Sequence, residues 1–508
     1  MIAKPIQGGV SARRLVVSAA IAAISLGFFV LSNLGSLNHN DFMYAVAPAV
    51  WAQNGDLYTD VPFPQAPLSI LLNSLLAAIT GNVNIFLPGR IISMALVFAA
   101  VLLPVLNRPK MKNIEIWVLF VALCLTNFFI ITNSREIGNY ALSLLCLSAA
   151  VTAINAPGSA IWRGFAACTF VGLATSAKLY FAILCPALFV FFLLTDRTAR
   201  TPVVVAACGL GFLLGFAPIL YFLARDYQGF WHWNVQFFQL ILPLRLTGAA
   251  DGFRRIANIL VLFATLMAIP IGFFVVAMWQ AWGRGGAELR ERCAQLLLLA
   301  AACAMAISPI IVFGQYLGPL AFLLLLFSAP WDSTGDRTQF FYLLFGGAML
   351  CVQCVLITAI IGPDLLRDRS LLVTQVLNVQ HKARQIAVDG YTCERKFYST
   401  SPLFLLENEI RYPPELAAGP FLMFFLRGEE LAKKGEEFNL GEHVKKWNPD
   451  IVIWGYHIGS QDPAEDSADR YIRDYAISHA FVVTSLGKVD GHDIALGYRA
   501  GCKRAARP

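Results

Sequence analysis

Apolar runs long enough to cross a bilayer recur along most of this chain, and they constrain its fold more than any motif does. They begin near residues 14, 85, 115, 139, 160, 178, 201, 256, 294, 315 and 339. A helix needs about 20 residues to cross the hydrocarbon core, so the pattern predicts about eleven spans. Inside lipid every backbone N–H and C=O must be paired within the protein, and helices do this segment by segment. The fold class is therefore mainly α, a polytopic α-helical membrane protein. Composition agrees: 57% of the 508 residues are hydrophobic and 14% are charged, against roughly 25% charged in soluble domains. The excess of 7 positive charges comes without a basic cluster interleaved with aromatics, which excludes nucleic acid as a partner.

Loop charges set the expected topology. The first run follows Arg13 and Arg14 and has no small-residue cleavage site, so it reads as an uncleaved anchor. Residues 67–80 are apolar but short. If they lie along the interface, every short basic loop falls on one side: Arg108/Lys110/Lys112, Arg163, Arg197/Arg200, Arg284/Arg290/Arg292 and Arg337. Basic loops stay in the cytoplasm. The N-terminus is then cytoplasmic, and the outer segments include a first loop at 35–84 and everything beyond about residue 364.

The polar tail, 364–508, reads as a small extracytoplasmic α/β domain after a membrane domain at 1–363. Strands are expected at 451–456, 481–486 and 493–499, and a helix at 465–479. Most of the 11 cysteines lie in or beside apolar runs, where they act as small hydrophobes. Cys393 and Cys502 stand in the tail, and can pair if it meets an oxidising compartment.

Candidate chemistry gathers at the outer helix ends. Asp41 lies just past the first span, beside His39, Asn40 and Tyr44. Asp56, Tyr58 and Asp60 follow, and Pro62, Pro64 and Pro67 stiffen the return to the membrane. Ionisable groups at a membrane boundary are functional candidates by default. Arg135 and Glu136 sit between two spans, where they also read as an ordinary charged helix cap. Lys178 opens another span, where it also reads as a snorkelling lysine. The loop at 224–255 carries Arg245, Arg254 and Arg255 on an aromatic, interfacial stretch. The histidines show no metal-ligand spacing, and no Gly-rich phosphate loop is present.

The first outer loop resembles that of GT-C fold glycosyltransferases. The nearest type is the bacterial members of the family 39 dolichyl-phosphate-mannose–protein mannosyltransferases and the aminoarabinose transferases. Asp41, Tyr44, Ala45, Gly55, Leu57, Tyr58, Asp60, Pro62, Phe63, Gln65, Pro67 and Leu68 carry the likeness, and Gly89-Arg90-Ile91-Ile92-Ser93 resembles the family's next-span opening. The resemblance is strongest over 35–195. It implies a GT-C-like membrane domain that moves a sugar from a polyprenyl-phosphate carrier to a glycan, lipid or protein acceptor at the outer face of the bacterial inner (plasma) membrane.

Within that resemblance Asp41 is the expected base and Glu136 a second catalytic carboxylate that orients the acceptor. A phosphate leaves without strong protonation, so one carboxylate suffices and inversion follows from a single displacement. Tyr44, Tyr58, Arg135, Lys178, Arg245, Arg254 and Arg255 are expected to bind substrate, the cations stabilising charge on the leaving phosphate. Where the family has His-Tyr or Arg-Tyr before a late span, this chain has neutral Gln315, leaving Tyr316 to line the donor pocket. No cofactor is required, although a divalent cation between Asp41 and Glu136 would fit the chemistry. Other functions with this topology are a transporter or lipid flippase, and a glycan ligase or non-catalytic glycan-assembly subunit. A transporter is expected to show midplane polar groups in repeated halves, which this sequence lacks.

Overall fold

A computed structural model describes residues 12–37, 39–107, 113–135, 137–239, 249–308, 314–331, 336–368, 370–389, 391–421, 439–457 and 463–502. The helices are α1 (Ala12–Leu34), α2 (His39–Asn54), α3 (Leu68–Thr80), α4 (Phe86–Leu106), α5 (Ile114–Thr126), α6 (Phe128–Ser134), α7 (Asn139–Asn155) and α8 (Ala160–Ala177). After them come α9 (Leu184–Thr195), α10 (Pro202–Arg225), α11 (Tyr227–Trp231), α12 (Ala249–Arg284), α13 (Gly286–Ile307), α14 (Gly318–Ser328) and α15 (Asp336–Asp368). Each expected apolar run is a helix or part of one. By length and apolarity, 5 described helices can cross a membrane alone, and the bent pair α5–α6 makes up to 6.

The bend between α5 and α6 is 65°. Asn127 causes it: its backbone is extended, and its side chain caps the new helix by accepting from the N–H groups of Phe129 (3.1 Å) and Ile130 (3.3 Å). Broken helices persist in membranes where such groups re-pair the freed backbone. Elsewhere small residues bring helices close. Gly211 and Gly215 of α10 face α8, where an added Cβ would lie 2.3 Å from the Phe165 carbonyl oxygen or 2.0 Å from that of Thr169. The Ser176 hydroxyl then donates to the Gly215 carbonyl at 2.9 Å. This small-residue packing fixes the end of α8, where Lys178 follows.

α3 has 13 residues, so it spans about 20 Å, too short for a core of ~30 Å. The Asn33 carbonyl, near the end of α1, accepts from Arg90, in the first turns of α4, at 2.7 Å. The chain between them therefore leaves and re-enters the bundle at the same end.

The tail holds a 4-stranded sheet of β1 (Phe397–Ser399), β2 (Ile451–Trp454), β3 (Phe481–Val489) and β4 (His492–Arg499), ordered β1-β2-β4-β3. β1 pairs with β2 in parallel and the other pairs are antiparallel. Asp490 and Gly491, both at positive φ, make the tight β3–β4 turn that such a dipeptide favours. Flanking helices are α16 (Leu372–Ala387), α17 (Leu440–Trp447) and α18 (Pro463–Ser478). The sheet domain thus contains the three expected strands, plus β1. Cys393 and Cys502 form a disulfide with a Cα–Cα distance of 5.1 Å.

The tail docks on the first loop. Gln53 donates to the Ile410 carbonyl and accepts from the Tyr412 N–H at 3.1 Å. Gly419 (φ 55°) lies so close to α2 that a Cβ there would come within 2.6 Å of the Met43 Cα.

Candidate active site

Hydrogen bonds gather the end of α1, the start of α4, the end of α6, the start of α7 and the end of α8 at one end of the bundle. There the segment joining α6 to α7 is the hub. Gly138 reaches φ 136°, a conformation open to glycine at little cost, and an added Cβ would lie 3.3 Å from the Tyr44 ring. Its N–H donates to the Ser93 hydroxyl at 3.2 Å.

On one side of the hub sits a buried ion pair. Arg90 donates to the Asp41 carboxylate, both side chains having no exposure. The other Asp41 oxygen accepts from the Ile137 N–H at 3.2 Å. Arg135 lies beside the pair, donating to the Ser32 hydroxyl at 2.5 Å and resting over the Phe128 ring at 5.9 Å. Burial, then the charge of Arg90, lowers Arg135 to about 10, which leaves it cationic at neutral pH.

On the other side Lys178, 6% exposed, donates to the Gln65 side-chain oxygen at 2.7 Å. Its ammonium lies 4.7 Å from the Tyr140 ring centre and 5.6 Å from that of Tyr180, a cation–π setting. The same Gln65 oxygen accepts from Asn139 at 3.1 Å, joining Lys178 to the hub. Tyr316 packs on both tyrosines, with ring centres 5.7 and 5.8 Å apart. Lys178, Tyr140, Tyr180 and Tyr316 line a small cleft closed by Met305 and Pro319. Asn133, just before Arg135, donates to the Gln315 carbonyl at 3.1 Å.

The expected site residues therefore divide. Asp41, Tyr44 and Arg135 surround the hub, Lys178 and Tyr316 form the cleft beside it, and Tyr58 supports both. The Tyr58 hydroxyl, buried, donates to the Gln65 carbonyl at 2.7 Å, and its ring packs on Phe222 and Phe230. Glu136 and Arg245 lie outside the described residues, as do the side chains of Arg254 and Arg255 within α12. Sequence reasoning gave no role to Asn139, Tyr140 and Tyr180, and named Arg90 and Gln65 only as carriers of the family likeness. An arginine inside an apolar run was a readable signal for Arg90; the neutral amides offered none.

The hub is also rich in unmatched polarity. Arg90 Nε, Arg135 Nε, Asn33 Oδ1, Asn133 Oδ1 and Asn139 Oδ1 are buried without a hydrogen-bond partner among the described residues. Buried polar atoms are ordinarily paired, so such a group calls for an explanation. Among the described residues no cluster of three or more His, Cys, Asp or Glu side chains is placed to hold a metal ion. Both carboxylate oxygens of Asp41 are engaged, by Arg90 and by the Ile137 N–H.

No family model matches the chain, and no curated protein matches it in sequence. Solved structures do match its fold. ArnT from Cupriavidus metallidurans bound to undecaprenyl phosphate superposes with a TM-score of 0.56 at 13% identity, covering 98% of this chain and 100% of that one. The same protein in the apo state gives 0.59 over the same shares. A lower score, 0.47 at 11% identity over 92% of this chain and 73% of the other, belongs to the oligosaccharyltransferase AglB from Archaeoglobus fulgidus. The chain thus has the polytopic GT-C fold that its first outer loop resembles.

Proposed function

We propose that this chain is a glycosyltransferase that takes a sugar from a polyprenyl-phosphate-linked donor and passes it to an acceptor at the outer face of a bacterial inner membrane. One observation carries the reading: Lys178, Arg135 and Arg90 converge at one end of the bundle, beside buried polar atoms without partners, in the fold of a protein solved with undecaprenyl phosphate bound. Cations fixed before the reaction stabilise the charge that builds on a leaving phosphate, at no cost in reorganisation. The Lys178 ammonium, flanked by Tyr140, Tyr180 and Tyr316, is assigned to meet the donor phosphate.

Transfer is one displacement. The acceptor hydroxyl gives its proton to a carboxylate as its oxygen bonds to the anomeric carbon. The bond from that carbon to the phosphate oxygen breaks, and the phosphate leaves with the electron pair. Asp41 is assigned as the base, with Glu136 orienting the acceptor and a divalent cation an optional aid. Arg90 covers Asp41, so base action requires Arg90 to turn toward the donor phosphate. The complete burial of the pair favours a second assignment, in which Asp41 clamps the hub and Glu136 is the base. The tail, 364–508, lies on the same end of the bundle as the first loop and is assigned to the outer side of the membrane, where its disulfide is stable.

The test uses purified protein with radiolabelled polyprenyl-phosphate sugars. Transfer or sugar release by wild type, lost in Lys178→Gln together with donor binding, supports the reading. Absence of both activity and donor binding across donors overturns it.

A further inference from the structure

A second cavity lies at the opposite ends of the same helices. It is lined by Pro104 and Asn107 of α4, whose other end holds Arg90, and by Thr152 and Asn155 of α7, whose other end holds Tyr140. From position 90 to 107 a helix rises about 25 Å, so this cavity sits near the far boundary of a core ~30 Å thick. Trp279 and Trp282 of α12, 79% and 74% exposed, mark that boundary as interfacial tryptophans do. The cavity measures about 1330 Å³.

Its walls are sorted by polarity. Between α12 and α15 they are apolar, with Phe273, Val276, Phe341 and Phe345. Val276, Phe341 and Phe345 are also 53%, 47% and 45% exposed, so this side opens toward lipid. The polar end carries Arg284, Arg292 and Arg337 against Glu288 and Glu291. Glu288 pairs with Arg284 at 3.0 Å. Arg292 is held by neutral acceptors, the Gln295 side chain at 2.9 Å and the Phe327 carbonyl at 3.0 Å, and Gln295 in turn donates to Glu291 at 3.1 Å.

We infer that this cavity binds one zwitterionic aminophospholipid from the leaflet opposite the transfer site. Its phosphodiester meets Arg292 and Arg337, its ammonium meets Glu291, beside the Arg284–Glu288 pair, and its acyl chains leave between α12 and α15. Charges of both signs at the polar end select this occupant. A purely anionic headgroup, or a polyprenyl phosphate, would satisfy the arginines but set like charge against the glutamates, and a quaternary ammonium offers them no N–H donor. The inference is independent of the transfer reading.

The experiment measures lipid retained on the full-length detergent-purified protein by native mass spectrometry, after loading with synthetic phosphatidylethanolamine, phosphatidylglycerol, phosphatidylcholine or undecaprenyl phosphate. Wild type should keep one phosphatidylethanolamine, at about tenfold preference over the other lipids, equivalent to ~1.4 kcal/mol. Gly272→Trp should abolish retention, because Gly272 lines the cavity and an added Cβ there meets nothing within 4 Å; an unchanged melting temperature confirms that this variant folds. Arg337→Gln should lose the headgroup preference. Equal retention of all headgroups, preference for the glycerol or undecaprenyl lipid, or undiminished retention in a folded Gly272→Trp protein would each overturn the proposal.

Discussion

The Asp41–Arg90 pair makes the sharpest prediction. Both side chains are fully buried, and breaking such a pair by removing one partner typically costs about 3–5 kcal/mol, because the other charge is left uncompensated. Asp41→Asn should therefore destabilise the chain by about 3 kcal/mol or more, and so should Arg90→Gln. The double variant removes both charges. Asn can still accept from the Ile137 N–H and Gln can still donate to the Asn33 carbonyl, so its remaining loss is that of weakened hydrogen bonds, each worth about 1 kcal/mol. The double variant should thus be more stable than either single one, so the coupling should exceed about 3 kcal/mol in magnitude. Equilibrium unfolding in mixed detergent–SDS micelles, followed by helicity, measures all four proteins. Single variants within ~1 kcal/mol of wild type, or a double variant whose loss is the sum of the two, would refute the buried-charge argument. The same proteins separate the two roles of Asp41. A folded double variant that transfers sugar makes Asp41 a clamp, and one that binds donor but transfers nothing makes it the base.

Four further outcomes are expected. Lys178→Gln should lower kcat/KM by about 10²–10³, the scale usual for one preorganised stabiliser of transition-state charge, and Gln65→Leu should lower it less, since Gln65 acts through Lys178; steady-state transfer kinetics compare them. Cys393→Ser should cost the tail about 2–4 kcal/mol, because the disulfide closes a separation of 109 residues; limited proteolysis with and without reductant reads this. Gly419→Ala should loosen the tail from α2, through strain at positive φ worth about 1–3 kcal/mol plus the clash with Met43, and hydrogen exchange of residues 39–54 should rise. Burial raises Glu407 above its ordinary value of 4.5, outweighing Arg384 at 3.7 Å. An acid whose folded pKa is raised destabilises the fold above that pKa and ceases to do so below its unfolded value. Glu407→Gln should therefore stabilise the protein at pH 7, a gain that fades as pH falls toward 4.5 in pH-dependent melting.

The apolar runs were readable because lipid leaves the backbone one economical solution, so hydrophobicity alone locates the helices. The break at Asn127 was not, since a single residue in the run 114–134 redirects the chain by capping the following N–H groups. The three longer segments of the sheet carried β-branched or aromatic residues, whereas β1 has 3 residues and owes its pairing to β2. Within the site, charge announced itself and its partners did not. Asp41 stood out as a carboxylate at a membrane boundary, but Arg90 is 49 positions away, and only the meeting of α2 and α4 brings the two together. Gln65 carries part of the family likeness, but its neutral side chain gave no hint that it joins Lys178 to Asn139.

What made the site partly legible was parity. If the apolar runs cross in turn, the end of α1, the start of α4, the end of α6, the start of α7, the end of α8 and the start of α14 fall at one end of the bundle. Asp41, Arg90, Arg135, Tyr140, Lys178 and Tyr316 occupy those places, so their common location follows from the order of crossings before any contact is known. The inference hangs on α3. Had residues 68–80 crossed, Arg90 would stand at the far end, some 25 Å along α4, and Asp41 would be a buried charge with no cation to hold it. The short length of α3 and the Arg90 bond to the Asn33 carbonyl are therefore facts about the site as much as about the fold.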